Sequence, residues 1–322
     1  MQGKNEQSAD QTVTVGIDVS KDWLDVALLP INTSLRVANN KKGHKALLKR
    51  LVGYDVSCVV MEATGKYHRS LHTNLHAAGL CVSVINPYRS RKFSDVLGRL
   101  AKTDKVDALV LAHYGAMVGP TSHIPASKTL SDLAEAVSAR TAAVAQKTAL
   151  TNRRGATLNI ALKRELARQV RACEHHIERL DKLIAGTIAN DAVLARRYEI
   201  LVTMPGVGPV AAAGLIAGLS ELGSCTDKQI AALVGVAPMN WDSGQMRGHR
   251  AIKGGRAPIR RLLYMAALTN VRSHRSGLKE FYEGLRNRGK PTKVALVAVM
   301  RKLAILANTL IAEDRHWRPK IT

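Results

Sequence analysis

Negative charge is what this sequence has least of. Its 322 residues hold 25 Asp and Glu against 48 Lys and Arg, a formal net charge of +23. The deficit is steepest from residue 240 on, where 18 basic side chains face 5 acidic ones. Such an excess points to a polyanionic partner, nucleic acid first, because released counterions favour association. A merely solvated basic surface would not concentrate its charge at one end. Long apolar runs are missing too: 294–311 is broken by Arg301 and Lys302, and 205–219 is short and rich in Gly and Ala. Membrane attachment is therefore not expected. The polar start MQGKNEQSADQ lacks the apolar core of a signal peptide. Cys58, Cys81, Cys173 and Cys225 are mutually distant and lack metal-type spacing, which suits a reducing cytoplasm.

What is present reads as three regions. Residues 12–20 and 23–30 form two strands around a short Lys-Asp turn, with 34–39 a third strand. A helix over 44–52, a buried strand in SCVVMEA, a helix over 67–78, a strand in CVSVINP and helices near 89–100 and 104–117 follow. That order describes an α/β domain, a mixed sheet flanked by helices, over 12–120. Pro120 and Pro125 mark the boundary with the next region, 121–197, which from Ser127 on has almost no Pro and few Gly, a composition for long helices. Leu166, Val170, Cys173, Ile177, Leu180 and Ile184 recur at spacings of three and four. This single apolar stripe fits a helical hairpin or coiled coil, either packed within the monomer or forming a dimer seam. The third region, 198–322, opens with MPGVGPVAAAGLIAGL, a helix-hairpin-helix-like pattern. There Gly206 and Gly208 would let backbone N–H groups approach a phosphate, although a tight turn between packed helices explains the same letters.

Four acids stand out in the first region. Asp18 lies in VTVGIDVSKD, Glu62 closes VSCVVME, and Asp104 and Asp107 stand three apart in KTDKVDALVLA, on one helix face. A carboxylate at the mouth of a buried strand is costly unless paired, so the set asks for a cation, most simply Mg²⁺, with Mn²⁺ as the alternative. Singly, each has a plainer explanation as a turn, cap or first-turn acid. Together they suit metal-assisted phosphoryl chemistry, in which divalent ions neutralise the attacking and leaving oxygens.

In the third region, PMNWDSGQMRGHRAIKGGRAPIRR places Ser243 in a Gly-rich loop with Arg247, Arg250, Lys253 and Arg256. A hydroxyl there is able to approach a phosphodiester whose oxygens the basic residues neutralise. Asp-Ser-Gly is also a common turn, and the letters alone favour that reading. His68, His72 and His76 form an i, i+4, i+8 ladder whose outer pair is separated by roughly 12 Å along a helix, too far for one metal. We expect a stripe facing solvent or nucleic acid. Trp241 and Trp317 are either base-stacking residues or core anchors.

Read in order, GIDVSKDWLDVAL, VVMEATGKY, VSVINP, KTDKVDALVLA, TMPGVGPVAA, LVGVAP and DSGQMRG resemble the DEDD transposases of bacterial insertion sequences, the insertion-sequence 110 family with its pilin-gene invertase relatives. The resemblance runs from about residue 13 to residue 305. It implies a ribonuclease-H-like (RuvC-like) first domain like that of Holliday-junction resolvases, an α-helical coiled-coil linker and a mainly α-helical transposase domain. By motif position the DEDD acids fall on Asp18, Glu62, Asp104 and Asp107, and the nucleophilic serine on Ser243. The resemblance also implies an element-encoded noncoding RNA that pairs with donor and target DNA.

The expected activity is thus that of a cytoplasmic DNA transposase or site-specific recombinase. Ser243 would form a phosphoserine intermediate, Mg²⁺ would be held by the acids, and a homo-oligomer, dimer or tetramer, would combine domains from different subunits. A Mg²⁺-dependent junction-resolving endonuclease using the same acids and a water is the alternative. An actin-like or sugar-kinase ATPase also begins on a Gly-Ile-Asp strand, but a second Asp-Gly phosphate loop is absent. An architectural DNA binder would leave the four acids without a purpose.

Overall fold

The structure is a computed structural model that describes residues 12–98, 103–240, 248, 250–273 and 277–319. The chain divides into two compact units, Met1–Pro125 and Ala126–Thr322. The long helices expected as a linker belong to the second.

The first unit is a mixed α/β sheet. Its strands are β1 (Thr12–Val19), β2 (Trp23–Leu29), β3 (Thr33–Ala38), β4 (Asp55–Glu62) and β5 (Val82–Ile85). Their order across the sheet is β3-β2-β1-β4-β5. The short connections make β1–β2 and β2–β3 antiparallel, whereas β1–β4 and β4–β5 are parallel and joined through helices. One face carries Val13, Val15, Ile17, Leu24, Val26 and Leu28 and buries them against Leu47, Leu51, Leu71 and Leu75. Those leucines come from α1 (Lys41–Leu51) and α2 (Arg69–Ala77). Helix α3 (Pro87–Val96) starts at the Asn86 cap, whose side chain accepts from the Tyr88 amide, with Pro87 at the first helical position.

The opposite face is covered by α4 (Asp104–Val118), capped by Thr103 and ended by Gly119 in the left-handed conformation. Gly16 lets this helix descend onto β1. A Cβ there would stand 2.1 Å from the Ala108 carbonyl oxygen and 2.2 Å from the Ala112 nitrogen. Gly115 meets Thr14 and Val60 in the same way farther along. The helix therefore runs back along β1, and its acidic first turn reaches the strand end that carries Asp18.

The second unit is helical. Helices α5 (Lys128–Ala156) and α6 (Ile160–Ala189) form an antiparallel hairpin around the predicted stripe, with Leu166, Val170, Cys173, Leu180 and Ile184 buried. Ion pairs Arg140–Asp181 and Lys147–Glu174 fix its register, seven residues forward on one helix and seven back on the other. Next come α7 (Ala192–Val202), α8 (Pro209–Gly218) and α9 (Asp227–Val234), the last begun by a Thr226–Gln229 capping box. A two-residue ribbon follows, β6 (Pro238–Met239) with β7 (Ala251–Ile252), then α10 (Ala257–Arg272), α11 (Leu278–Asn287) and α12 (Thr292–Ala312). Contrary to the sequence reading, α12 is long and apolar enough to cross a membrane despite Arg301 and Lys302. Its Leu296, Val299, Met300, Leu303 and Leu310 are core residues of this unit, each worth about 1.5–3 kcal/mol of burial. Trp317 packs against the same core, and its amide donates to Thr203 Oγ1.

Candidate active site

Strand register builds the site from the sheet outward. Asp18 on β1 is the partner of Asp25 on β2, and Asp25 is the partner of Arg36 on β3, so the three stand in one row. On the other side, Ile17 pairs with Met61, which puts Asp18, the penultimate residue of β1, beside Glu62, the last of β4. Both point to the α4 face, because Gly16 and Val60, two residues back on each strand, contact that helix. Asp104 and Asp107 occupy the first turn of α4, where the helix dipole favours negative charge.

The acids sense one another. Burial lifts the Asp18 carboxyl from 3.8 to about 6, helped by the charges of Asp107, Asp104, Glu62 and Asp25. All four sequence-predicted acids therefore lie in one electrostatic neighbourhood. Three of the flanking acids are tied to neighbours, two of them to the same arginine. Glu62 accepts a hydrogen bond from the buried Ser90 hydroxyl on α3. Arg36 forks onto Asp25, Nε to Oδ1 at 2.9 Å and Nη2 to Oδ2 at 2.7 Å, and the same Nη2 donates to Asp104 at 2.8 Å. Among the described residues no hydrogen bond or ion pair reaches the Asp18 carboxylate.

The loop behind Asp18 is held by a polar network. Asn39 Nδ2 donates to the Ser20 and Tyr67 carbonyls, and its Oδ1 pairs with His44 Nε2 at 2.9 Å. Asn74 donates to His44 Nδ1. Burial lowers the His44 pKa, which keeps the ring neutral and able to accept there.

An all-carboxylate donor set is the chemistry that hard divalent ions such as Mg²⁺ take. A cation among these acids would reverse the repulsion that lifts Asp18. The acids fit that role in charge and donor type. Among the described residues, however, no three acidic, His or Cys side chains are already gathered closely enough to hold an ion. Glu62 is engaged by Ser90 and Asp104 by Arg36.

Sequence reasoning missed Asp25, Arg36 and Ser90. Counting outward from the tight turn at 20–22 opposes Asp18 to Asp25, and that signal was available. Two other readings are corrected. His72 is not on a solvent- or nucleic-acid-facing stripe: it is buried, with Nε2 2.8 Å from the His123 carbonyl oxygen. Cys58 and Cys81 are not distant in space, since the pairing of β4 with β5 starts beside them, and burial followed by the neighbouring Cys81 pushes Cys58 up to about 12.

In the second unit, Ser243, Arg247 and Trp241 lie outside the described residues, and β6 and β7 bracket the segment that carries them. Arg250 is exposed, as is Lys253. Arg256 is committed to the fold, donating from Nη1 to the Gly218 carbonyl at 2.8 Å and forking onto Glu221. Gly206 adopts φ +74°, and a Cβ there would meet Asn270 at 2.3 Å, so packing against α10 explains it. Gly208, by contrast, is exposed, precedes α8 and has open space around it.

Residues 15–162 match the DEDD transposase family of IS110 elements, described as "Transposase", and residues 198–283 match the "Transposase IS116/IS110/IS902 family". The chain is 28% identical over 316 residues to the pilin gene-inverting protein of Moraxella bovis, covering 95% of this chain and 98% of that one. The pilin gene-inverting protein of Moraxella lacunata gives the same identity and coverage. An insertion element IS116 uncharacterized 44.8 kDa protein of Streptomyces clavuligerus is 31% identical over 159 residues, 48% of this chain and 38% of that protein.

Proposed function

We infer, from the premise that this chain belongs to the IS110 family of DNA transposases and recombinases, that Asp18, Glu62, Asp104 and Asp107 are its catalytic acids and Ser243 its nucleophile. The observation that carries the reading of the acids is their placement, Asp18 near the end of β1 beside Glu62 at the end of β4, with Asp104 and Asp107 in the first turn of the helix packed on that face; the raised pKa of Asp18 agrees with it. The strand order β3-β2-β1-β4-β5, with three antiparallel strands followed by two parallel ones, supports a ribonuclease-H-like first unit.

Asp18, Glu62, Asp104 and Asp107 would hold Mg²⁺ or Mn²⁺, which when bound supplies charge neutralisation to the reacting phosphate. The chain's own residues do the rest. The sheet and α4 fix the acids, and Ser90 orients Glu62. Arg250, Lys253 and the exposed Gly208 amide meet nucleic-acid phosphates, with Arg247 a further contact. In strand cleavage the Ser243 oxygen–phosphorus bond forms as a sugar oxygen–phosphorus bond breaks, the serine proton passing in net to the released sugar oxygen. The phosphoserine conserves the bond energy, so rejoining needs no nucleotide cofactor.

Donor and target DNA are the substrates, and an element-encoded RNA that pairs with both is the proposed guide, for which the net charge of +23 gives the electrostatic basis. The test is a strand-exchange assay with wild-type and Ser243→Ala protein on DNA carrying the element ends. The variant is expected to bind nucleic acid, form no protein-linked DNA and exchange no strands. Strand exchange by Ser243→Ala removes the serine from the mechanism, and cleavage without a covalent adduct in the wild type favours a hydrolytic resolvase.

A further inference from the structure

We propose that Arg36 is a positioning residue, a built-in counter-cation that holds Asp104 and with which a divalent ion must compete for that carboxylate. The inference rests on the reading that Asp104 belongs to the metal-binding set.

Asp25 is 4% exposed, and a carboxylate that deep needs a cation. Arg36 provides it through the two-bond fork, which pins the guanidinium over the row Asp18, Asp25, Arg36. One Nη2 hydrogen goes to Asp25 and the other to Asp104, so both donors of that nitrogen are used. Asp104 is the more accessible partner: its side chain is 65% exposed, whereas that of Asp25 is 6% exposed. Asp104 therefore has two claims on it. One is the guanidinium; the other is whatever cation the remaining acids gather around Asp18.

Arg36→Gln with Asp25→Asn separates this from a plain charge effect. The double change removes one positive and one negative charge, leaves an amide pair in place of the buried ion pair and frees Asp104. Mn²⁺ binding to the full chain, measured by calorimetry, is expected to tighten about two- to fivefold, the range of an exposed ion pair. With Asp104→Asn in the background the gain should vanish, because Arg36 acts through Asp104. A residue that only supports the fold would give looser binding instead.

Binding by the double variant equal to or weaker than wild type overturns the proposal, as does an undiminished gain with Asn at position 104. If circular dichroism shows that the double variant does not fold, Arg36→Lys decides: a point charge keeps Asp25 paired but lacks the fork that reaches Asp104. Tighter Mn²⁺ binding by that variant supports the proposal, and unchanged or weaker binding sinks it. Asp18→Asn keeps the two readings apart. Loss of Mn²⁺ binding in Asp18→Asn, with no tightening in the Arg36 variants, fails this inference alone. Unchanged binding in Asp18→Asn fails the metal reading and this inference with it.

Discussion

Asp18 and Asp25 are direct partners on antiparallel strands, and of these two carboxylates Asp25 is the one held by a guanidinium, that of Arg36. Like charges placed opposite each other on a sheet repel. Arg36 resolves the repulsion for one of them, and Asp18 carries the unmet demand.

That demand has a pH signature. The Asp18 carboxyl titrates at about 6 in the folded chain against 3.8 as its ordinary value, so the folded state binds the extra proton between the two. Its stabilising contribution is full below the unfolded value, falls as pH rises through the folded value and levels off above it. Discounted for solvent screening of a part-buried group, the cost above pH 7 is about 1 kcal/mol. In a chelating buffer at pH 7.5, Asp18→Asn should therefore be more stable than wild type by that amount, with the difference closing toward pH 4. Thermal melts across pH check this, and a variant less stable than wild type at pH 7.5 would contradict it.

Gly16 is where the sheet admits α4. Gly16→Ala pushes a methyl group into the backbone of Ala108 and Ala112, which has no flexible end to yield. We expect a loss of about 2 kcal/mol or more in urea unfolding. Gly53→Ala, with nothing within 4 Å, should stay within about 0.5 kcal/mol. Equal effects at the two positions would remove Gly16 from its role.

Among the described residues Ser90 reaches the site through Glu62. Ser90→Ala should lower divalent-dependent strand exchange by about 10- to 100-fold, the usual cost of losing a partner that orients a metal-binding side chain. Nucleic-acid affinity, read by filter binding, should not change. A parallel fall in both would mark a folding defect.

Arg256 is predicted to matter for stability before it matters for binding. Burial raises the Glu221 pKa, but the Arg256 fork, together with hydrogen bonds from the Glu221 backbone and Ser220, leaves the carboxyl below its ordinary value. Such a group adds stability above its unfolded pKa and loses it as pH falls through the folded one. Arg256→Ala should cost about 1.5–3 kcal/mol at pH 7, and the deficit should shrink as the carboxylate protonates. Denaturant titrations at pH 7 and pH 3.5 read the difference, and a deficit independent of pH would argue against the Glu221 partnership.

Much of this was legible in the sequence. The strands from Thr12 to Ile85, the helices that flank them and the α5–α6 stripe each announce themselves by local periodicity, a property of neighbouring residues. Asp18, Glu62, Asp104 and Asp107 were legible because a carboxylate in apolar surroundings is conspicuous in a string of letters. Asp25 was legible only as the residue opposite Asp18 across the tight turn, and its fork from Arg36 was not, because that pairing depends on the register of three strands, which no single segment encodes. The Cys58–Cys81 contact has the same origin, in the parallel pairing of β4 with β5. His72 was misread because helical spacing gives a stripe but not the side on which the stripe packs, and α12 because two basic residues do not interrupt a helix whose core face is continuous.

The account turns on the acids around Asp18 being the place where phosphodiester chemistry is supported. Strand exchange by Asp18→Asn, assayed with Mg²⁺ on DNA that the variant binds as wild type does, tests it most directly. The account predicts a fall of at least about a hundredfold in rate with affinity unchanged; strand exchange at the wild-type rate would contradict it.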